Sequence, residues 1–457
     1  MSLSPSRSGG SEGDPEQHSR LGCCTSIQRR TGAMKFLHLA DIHIGIENYG
    51  RLDVGTGLHT RVRDFVRCIR FAFDRAVQEK VDFVLFCGDA YKTCDPTPTH
   101  QRELAAQIRG LLDAGIPLVM IVGNHDNPVS FGRASSIDIY GTLGVSNVHV
   151  IAKPSLVRLD AASGPVQLVG LPWPTRNLLM TRDEYKDLGD DQILAGIQQI
   201  CTSVIDQYAR ELDPAVPAVL AAHLTGANAV YSGSERSAMI GTDPVLMTGA
   251  LANPAFDYVA LGHIHKHQDL NKSGSPHVVY SGSIERIDFG EERERKGFCI
   301  VTINGNGRAA QDRTTTYEFV ETPARRFVTI QVDVAEDEDP TEAIVRESAR
   351  CHLEDAVVRV IYRVSESQQQ LVDLRRVRSA LEGAFLVSSI LPKLAPVERL
   401  RRVDVCEDLG VHEALDRYVD NHPELEYVGD DMKRYAAALE AELEASGALV
   451  GSDLEEP

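Results

Sequence analysis

Residues 34–45 read MKFLHLADIHIG, an apolar run that stops at an aspartate and reaches a histidine two positions later. Phe36–Ala40 has the length and composition of a buried strand, and Asp41-Ile42-His43 places a carboxylate and an imidazole directly after it. The pattern returns four times. Phe83–Cys87 runs into Gly88-Asp89, Leu118–Val122 into Gly123-Asn124-His125-Asp126, Ala218–Ala222 into His223, and Tyr258–Leu261 into Gly262-His263-Ile264-His265. Between the first two runs, Val62, Phe65, Val66, Ile69, Phe73 and Ala76 fall at helical spacing, and further helices are expected around residues 99–113 and 191–211. Strands alternating with helices predict an α/β domain, whose functional groups gather at the carboxyl ends of its strands.

Five such ends on one edge would bring together three carboxylates, one amide and up to five imidazoles. Oxygen and imidazole donors without thiolate suit Mn²⁺, Fe²⁺ or Zn²⁺. Neutral imidazoles cost less to bury than charges, and a shared carboxylate offsets repulsion between two cations. Two metals roughly 3.5–4 Å apart can activate one water and clamp a phosphoryl group, so the expected reaction is phosphoester hydrolysis. In G-N-H-D, Asn124 offers an oxygen ligand while His125 and Asp126 can form an orienting pair; in G-H-x-H, His263 and His265 lie on one side of an extended segment.

The rest of the chain sets bounds. Its 457 residues suffice for two or three domains. Apolar runs are strand-length, far below the roughly 18–20 residues of a membrane span, so no membrane association is expected. Nine cysteines, scattered apart from Cys23-Cys24 and without C-x-x-C spacing, argue against a disulfide framework or zinc ribbon. With no apolar stretch of signal-peptide type after Arg29-Arg30, the expected location is the cytoplasm. The net charge of −19 divides into −5 over residues 1–325 and −14 over 326–457, which excludes a globally basic protein but leaves room for a local phosphate-binding groove.

Residues 1–33 read as a disordered tail, and Met34 as a possible true start of translation that N-terminal sequencing would decide. Residues 34–325 form the expected catalytic domain. Beyond it, strands at 327–334 and 356–364, helices at 340–351 and 370–383 and a third strand near Ala384–Ile390 make a small β-α-β-α-β unit, assigned to 326–400. Residues 401–457 hold two expected helices, marked by Leu415, Tyr418 and Val419 and by Met432, Tyr435, Leu439 and Leu443, with His422-Pro423 as a breaker and an acidic tail after them.

The ordered set D-x-H, G-D, G-N-H-D, H and G-H-x-H resembles the calcineurin-like metallophosphoesterase superfamily. Within it, Met34–Gly45, Gly88–Lys92 with Asp95-Pro96, and Tyr280–Glu292 (YSGSIERIDFGEE) with Lys296-Gly297 resemble the SbcD-type DNA exonucleases, the nuclease subunits of the SbcCD complex. The resemblance implies a four-layer αββα sandwich followed by a small α/β cap that helps bind DNA and a helical hairpin that docks on the coiled coil of an SbcC-like ATPase. It implies a homodimer as well. It also implies two divalent ions, usually Mn²⁺, the first held by Asp41, His43, Asp89 and His265 and the second by Asp89, Asn124, His223 and His263, with Asp89 bridging. His125 matches the histidine that protonates or stabilises the leaving oxygen, and Asp126 would orient its ring. Lys92 departs from the histidine some relatives carry there.

Other residues fit less well. His59, His100, His267 and His277 match no ligand position and read as solvated or core histidines. Arg286 is placed either to reach a phosphate or to pin its loop through Glu285 or Asp288. Trp173 either stacks on a base or packs its own loop. Against a protein phosphatase, Asp89 is followed by Ala90-Tyr91-Lys92 rather than a G-D-x-V-D-R-G pattern. A cyclic-nucleotide phosphodiesterase would leave the cap and hairpin unexplained, and a non-catalytic assembly subunit would have no use for the full ligand set.

Overall fold

The computed structural model describes residues 32–128, 132–175, 189–233, 243–305, 307–394, 410–420, 422 and 425–445. Nearly all of the expected N-terminal tail, Pro423 of the breaker and the acidic C-terminus lie outside the described residues.

One six-stranded sheet holds β1 (Met34–Leu39), β2 (Phe83–Phe86), β3 (Leu118–Ile121) and β4 (Val148–Ile151) in parallel, and β13 (Gly297–Asn304) and β14 (Thr314–Glu321) extend it antiparallel beyond β1. The other sheet has the order β11 (Gln268–Asp269), β12 (His277–Tyr280), β10 (Tyr258–Gly262), β7 (Ala218–His223), β6 (Gly164–Leu171) and β5 (Ser155–Ala161), with its four central strands parallel. A separate short ladder joins β8 (Thr225–Gly226) to β9 (Val245–Leu246).

Alternation along the strands explains the stacking. Phe36, Phe83, Leu85, Val119 and Ile121 face one way and meet Val166, Leu168, Val219, Tyr258 and Val279 of the second sheet. Leu37, Leu39, Val84 and Phe86 face the other way, against Phe65 and Ile69 of α1 (Thr60–Glu79) and Leu104 and Ile108 of α2 (Pro98–Asp113). On the far side of the second sheet, Val169, Leu220 and Val259 pack against Ile193, Ile197 and Ile205 of the helix Asp190–Glu211. The result is the four-layer αββα sandwich. Because both faces of each parallel sheet are covered, the strands are continuously apolar and were visible as runs. The helix starts are local: the Thr97 hydroxyl accepts from the His100 N–H, with Pro98 in the first turn of α2.

His38 brings an imidazole into the inter-sheet layer. His38 of β1 is fully buried, its ring nitrogens 3.2 Å from the Tyr258 hydroxyl and 3.2 Å from the Leu261 carbonyl oxygen. Burial holds its pKa down at about 3, against the raising effect of the Leu261 carbonyl. The unfolded chain takes up this proton below about 6.5 and the native state does not, so stability should fall as pH drops from there toward 3, by up to about 1.4 kcal/mol per unit. Urea unfolding measured across this range should show that slope, and His38→Leu should flatten it; an unchanged slope in the variant would contradict the assignment.

By compactness the chain divides into Met1–Ile330 with Glu347–Val360 and Arg378–Ile390, and a smaller unit of Gln331–Arg346, Ile361–Val377 and Leu391–Pro457. A three-stranded sheet, in the order β15 (Phe327–Asp333), β16 (Val357–Val364), β17 (Leu386–Leu394), alternates with helices at Pro340–Ala349 and Leu374–Ala380. A further turn of helix at Glu366–Gln369, capped by the Ser365 hydroxyl, was not anticipated. In the smaller unit the helices Val411–Asp420 and Glu426–Ala445 pack antiparallel: His412 lies 3.3 Å from Glu440, Lys433 pairs with Asp416, and Gly429 sits against Val419. Among the described residues no helix is long and apolar enough to cross a membrane.

Candidate metal centre

The carboxyl ends of β1, β2, β3, β7 and β10 meet at one edge of the sandwich. There the chain turns sharply, and the Asp41 and His43 N–H groups donate to the carbonyls of Gly88 and Asp89 at 3.0 Å each. Asp41, His43, Asp89 and His263 all adopt left-handed backbone conformations, with φ of 51°, 53°, 61° and 101°. Non-glycine residues resist this region by about 1 kcal/mol or more each, a strain that clusters at functional sites. The neighbouring glycines are needed for close approach. A Cβ on Gly88, itself at φ 94°, would lie 2.3 Å from His223 Nδ1, and one on Gly123 would lie 2.1 Å from Asp89 Oδ1.

The turns bring all seven sequence-proposed ligands into one cluster. Donor atoms of Asp41, His43 and His265 lie within 4.8 Å of one another, as do those of Asp41, Asp89 and His223. The Nε2 atoms of His43 and His265 are 3.0 Å apart. Asp89 Oδ2 is 3.7 Å from His43 Nε2 and 3.4 Å from His223 Nε2, so it touches both halves of the cluster. Asn124 Oδ1 lies 2.9 Å from His223 Nε2 and 3.2 Å from His263 Nδ1. The far sides of the rings are anchored: His223 Nδ1 on the Cys87 carbonyl at 2.7 Å, His263 Nε2 on Asp243 at 3.2 Å, and His265 Nδ1 on Glu291 at 2.9 Å. His43 Nδ1 is buried without a hydrogen-bond partner.

This donor set fits a pair of divalent cations. Two buried carboxylates are costly to hold without positive charge nearby, and the nitrogens and oxygens converge on the same small volume. Burial holds His43 and His263 below the ordinary imidazole range. At His223 burial acts in the same sense, but the Asp89 carboxylate outweighs it and pushes the ring up to about 9. The reciprocal effect keeps Asp89 well below the usual carboxylate range despite its own burial. The His223 proton thus provides charge that a cation would replace on binding.

His125 sits at the exposed rim of the cluster, a donor atom of its ring within 4.8 Å of those of His43 and Asp89. It is exposed, its ring centroid 4.8 Å from that of His43, and its Nδ1 is 2.8 Å from the Lys92 carbonyl oxygen. Asp126 does not make the ring contact expected of it. Its carboxylate accepts from the backbone N–H groups of Asp89 (2.8 Å), Ala90 (3.0 Å) and Gly123 (3.1 Å) and from the Ser136 hydroxyl (3.1 Å). A fully buried acceptor among unpaired turn amides goes to those amides, and the carbonyl of Lys92 holds the His125 ring instead.

The other sequence candidates also have definite places. Arg286 donates to the carbonyls of Arg325 (3.1 Å) and Glu294 (2.8 Å), which pins its loop. Trp173 packs on the ligands, with its ring 4.7 Å from His263 and 6.1 Å from His223. His59 caps α1, His100 lies 3.6 Å from Glu47, His267 stacks on Phe319, and His277 bonds Asp269. Asp243 and Glu291 were not singled out. For Glu291 the available signal is its position in the stretch Tyr280–Glu292; Asp243 carries none.

Residues 34–267, which hold all of these strand ends, match the calcineurin-like phosphoesterase family. The chain belongs to this family. A dimetal phosphatase from Danio rerio aligns at 13% identity over 62% of this chain and 98% of its own, with a TM-score of 0.35. A protein from Thermus thermophilus aligns at 11% identity over 63% and 99%, with a TM-score of 0.33. The calcineurin-like phosphoesterase described here thus has the fold and the candidate dimetal residues for metal-dependent phosphoester hydrolysis.

Proposed function

We propose that this calcineurin-like phosphoesterase is an SbcD-like, Mn²⁺-dependent DNA exonuclease subunit acting in DNA repair and recombination. The observation that carries the DNA reading is the place of the SbcD-like segment beside the cluster. Ser283 pairs with Ala40 just before Asp41, its N–H donates to the His265 carbonyl at 3.0 Å, and further along the segment Glu291 takes the His265 ring.

In this reading Asp41, His43, Asp89 and His265 hold one ion, and Asp89, Asn124, His223 and His263 the other. Such a pair, when bound, supplies a Lewis acid for a phosphoryl oxygen and lowers the pKa of a coordinated water. The protein's own contribution to bond cleavage is His125. Its Nδ1 donates to the Lys92 carbonyl, which fixes the ring and leaves Nε2 to deliver a proton to the departing oxygen. Water adds to phosphorus and gives up a proton to solvent, the P–O bond breaks, and the leaving oxygen takes the Nε2 proton of the cationic His125 ring and departs as a neutral hydroxyl, after which the ring regains a proton from solvent.

The α/β unit after residue 326 is the cap, and the antiparallel hairpin is the site for an SbcC-like coiled-coil ATPase. Tyr418, Tyr435 and Leu439 are exposed on the hairpin, which an apolar partner would cover. The protein acts as a homodimer in the cytoplasm.

The test is nucleotide release from linear duplex DNA with Mn²⁺. Wild-type protein should release nucleotides, and His125→Ala should be slower by about 10²–10⁴-fold with metal binding retained. If DNA stays intact even with the ATPase present, while a generic phosphodiester is hydrolysed, the substrate is a different phosphoester.

A further inference from the structure

The segment Tyr280–Glu292 carries two fully buried carboxylates with different partners. Glu285 accepts from the Arg325 backbone N–H at 3.0 Å and lies 3.7 Å from the buried Arg61 guanidinium. Arg61 and Arg325 both bond Asp64, so this carboxylate belongs to a buried ion network that touches no proposed ligand. Glu291 is different. Oε1 lies 2.9 Å from His265 Nδ1, and Oε2 accepts from the Ile287 N–H at 2.9 Å and pairs with Lys296 Nζ at 3.0 Å.

Lys296, also buried, reaches the His265 carbonyl oxygen at 3.2 Å and Glu294 at 2.9 Å. His265 is therefore gripped at both ends, its ring by Glu291 and its backbone by the lysine that neutralises Glu291. An Nδ1–H donated to Glu291 fixes the ring tautomer and leaves the Nε2 lone pair toward Asp41 and His43. A carboxylate behind a ligating imidazole sets the ring's orientation and raises its strength as a donor.

We infer that Glu291 is the positioning residue for the first cation, acting through His265, with Lys296 as its buried counter-charge. The inference rests on the two-cation reading of the cluster. It assigns a task to the D-F-G-E-E stretch and to Lys296, for which motif matching gave none.

The test is a titration of the intact protein with Mn²⁺, following unbound ion by electron paramagnetic resonance. Wild type should bind two ions. Glu291→Ala should weaken one of them by about 10–100-fold and leave the other within a few-fold. Glu291→Gln keeps an acceptor oxygen but loses the charge, and should fall between the two; it also decides the matter if the alanine variant does not fold. Glu285→Gln removes an equally buried carboxylate, and should lower the urea midpoint while leaving both Mn²⁺ affinities unchanged. Two ions bound with wild-type affinity by the Glu291 variants would overturn the inference, as would parallel metal loss in the Glu285 variant. A wild-type protein that binds no Mn²⁺ would instead overturn the metal centre itself.

Discussion

Asp89→Ala should abolish measurable phosphodiester turnover. Asp89 contacts His43 and His223, which belong to opposite halves of the cluster, and its Oδ1 accepts the His125 backbone N–H at 2.9 Å. Removing it takes a donor from both proposed cation positions and frees the loop that carries His125, the proposed proton donor. Each ion in a two-metal site stabilises the transition state by several kcal/mol, so the loss should reach about 10⁵-fold or more. Turnover of a chromogenic phosphodiester, measured beside Mn²⁺ stoichiometry, checks this. Turnover within tenfold of wild type, with two ions still bound, would remove Asp89 from the bridging position.

The second large effect concerns stability. Asp126→Ala deletes the acceptor for three backbone amides and the Ser136 hydroxyl. Each buried amide left without a partner costs about 1–3 kcal/mol, so the three together cost roughly 3–9 kcal/mol. That is a large part of the 5–15 kcal/mol typical of a whole domain. Asp126→Asn should rescue little, because its amide nitrogen would face donors. A residue that merely oriented the His125 ring would instead alter the pH profile of turnover with little change in unfolding. Urea denaturation separates the two, and a variant within about 1 kcal/mol of wild type would mean that the carboxylate does not clamp these turns.

The contrast between Asp126 and its neighbours shows what can be read from a chain of residues. Ligands such as Asp41 and His223 were legible because each terminates an apolar strand covered on both faces, and such strands announce their own ends. The edge strands β4, β5 and β14 are harder to read, since their partial exposure weakens the apolar run. Asp126 was legible as a site residue but not in its contacts. Whether it bonds a ring or turn amides depends on the left-handed turn at Asp89, 37 positions away, and no spacing displays that conformation. Glu291 meets His265 across 26 positions, and Arg325 meets Asp64 across 261. Such pairs depend on how layers stack, and local periodicity does not encode stacking.

The cluster draws Asp41, Asp89 and Asn124 from the ends of β1, β2 and β3, and His223, His263 and His265 from the ends of β7 and β10. It therefore straddles the seam between the two sheets. A filled centre would fasten one layer of the sandwich to the other. Above the dissociation constants, each tenfold rise in free cation would add about 1.4 kcal/mol to the native state for each ion bound. The persistence of the folded chain would then follow the metal supply around it, so that scarcity would cost the cell the protein as well as its activity.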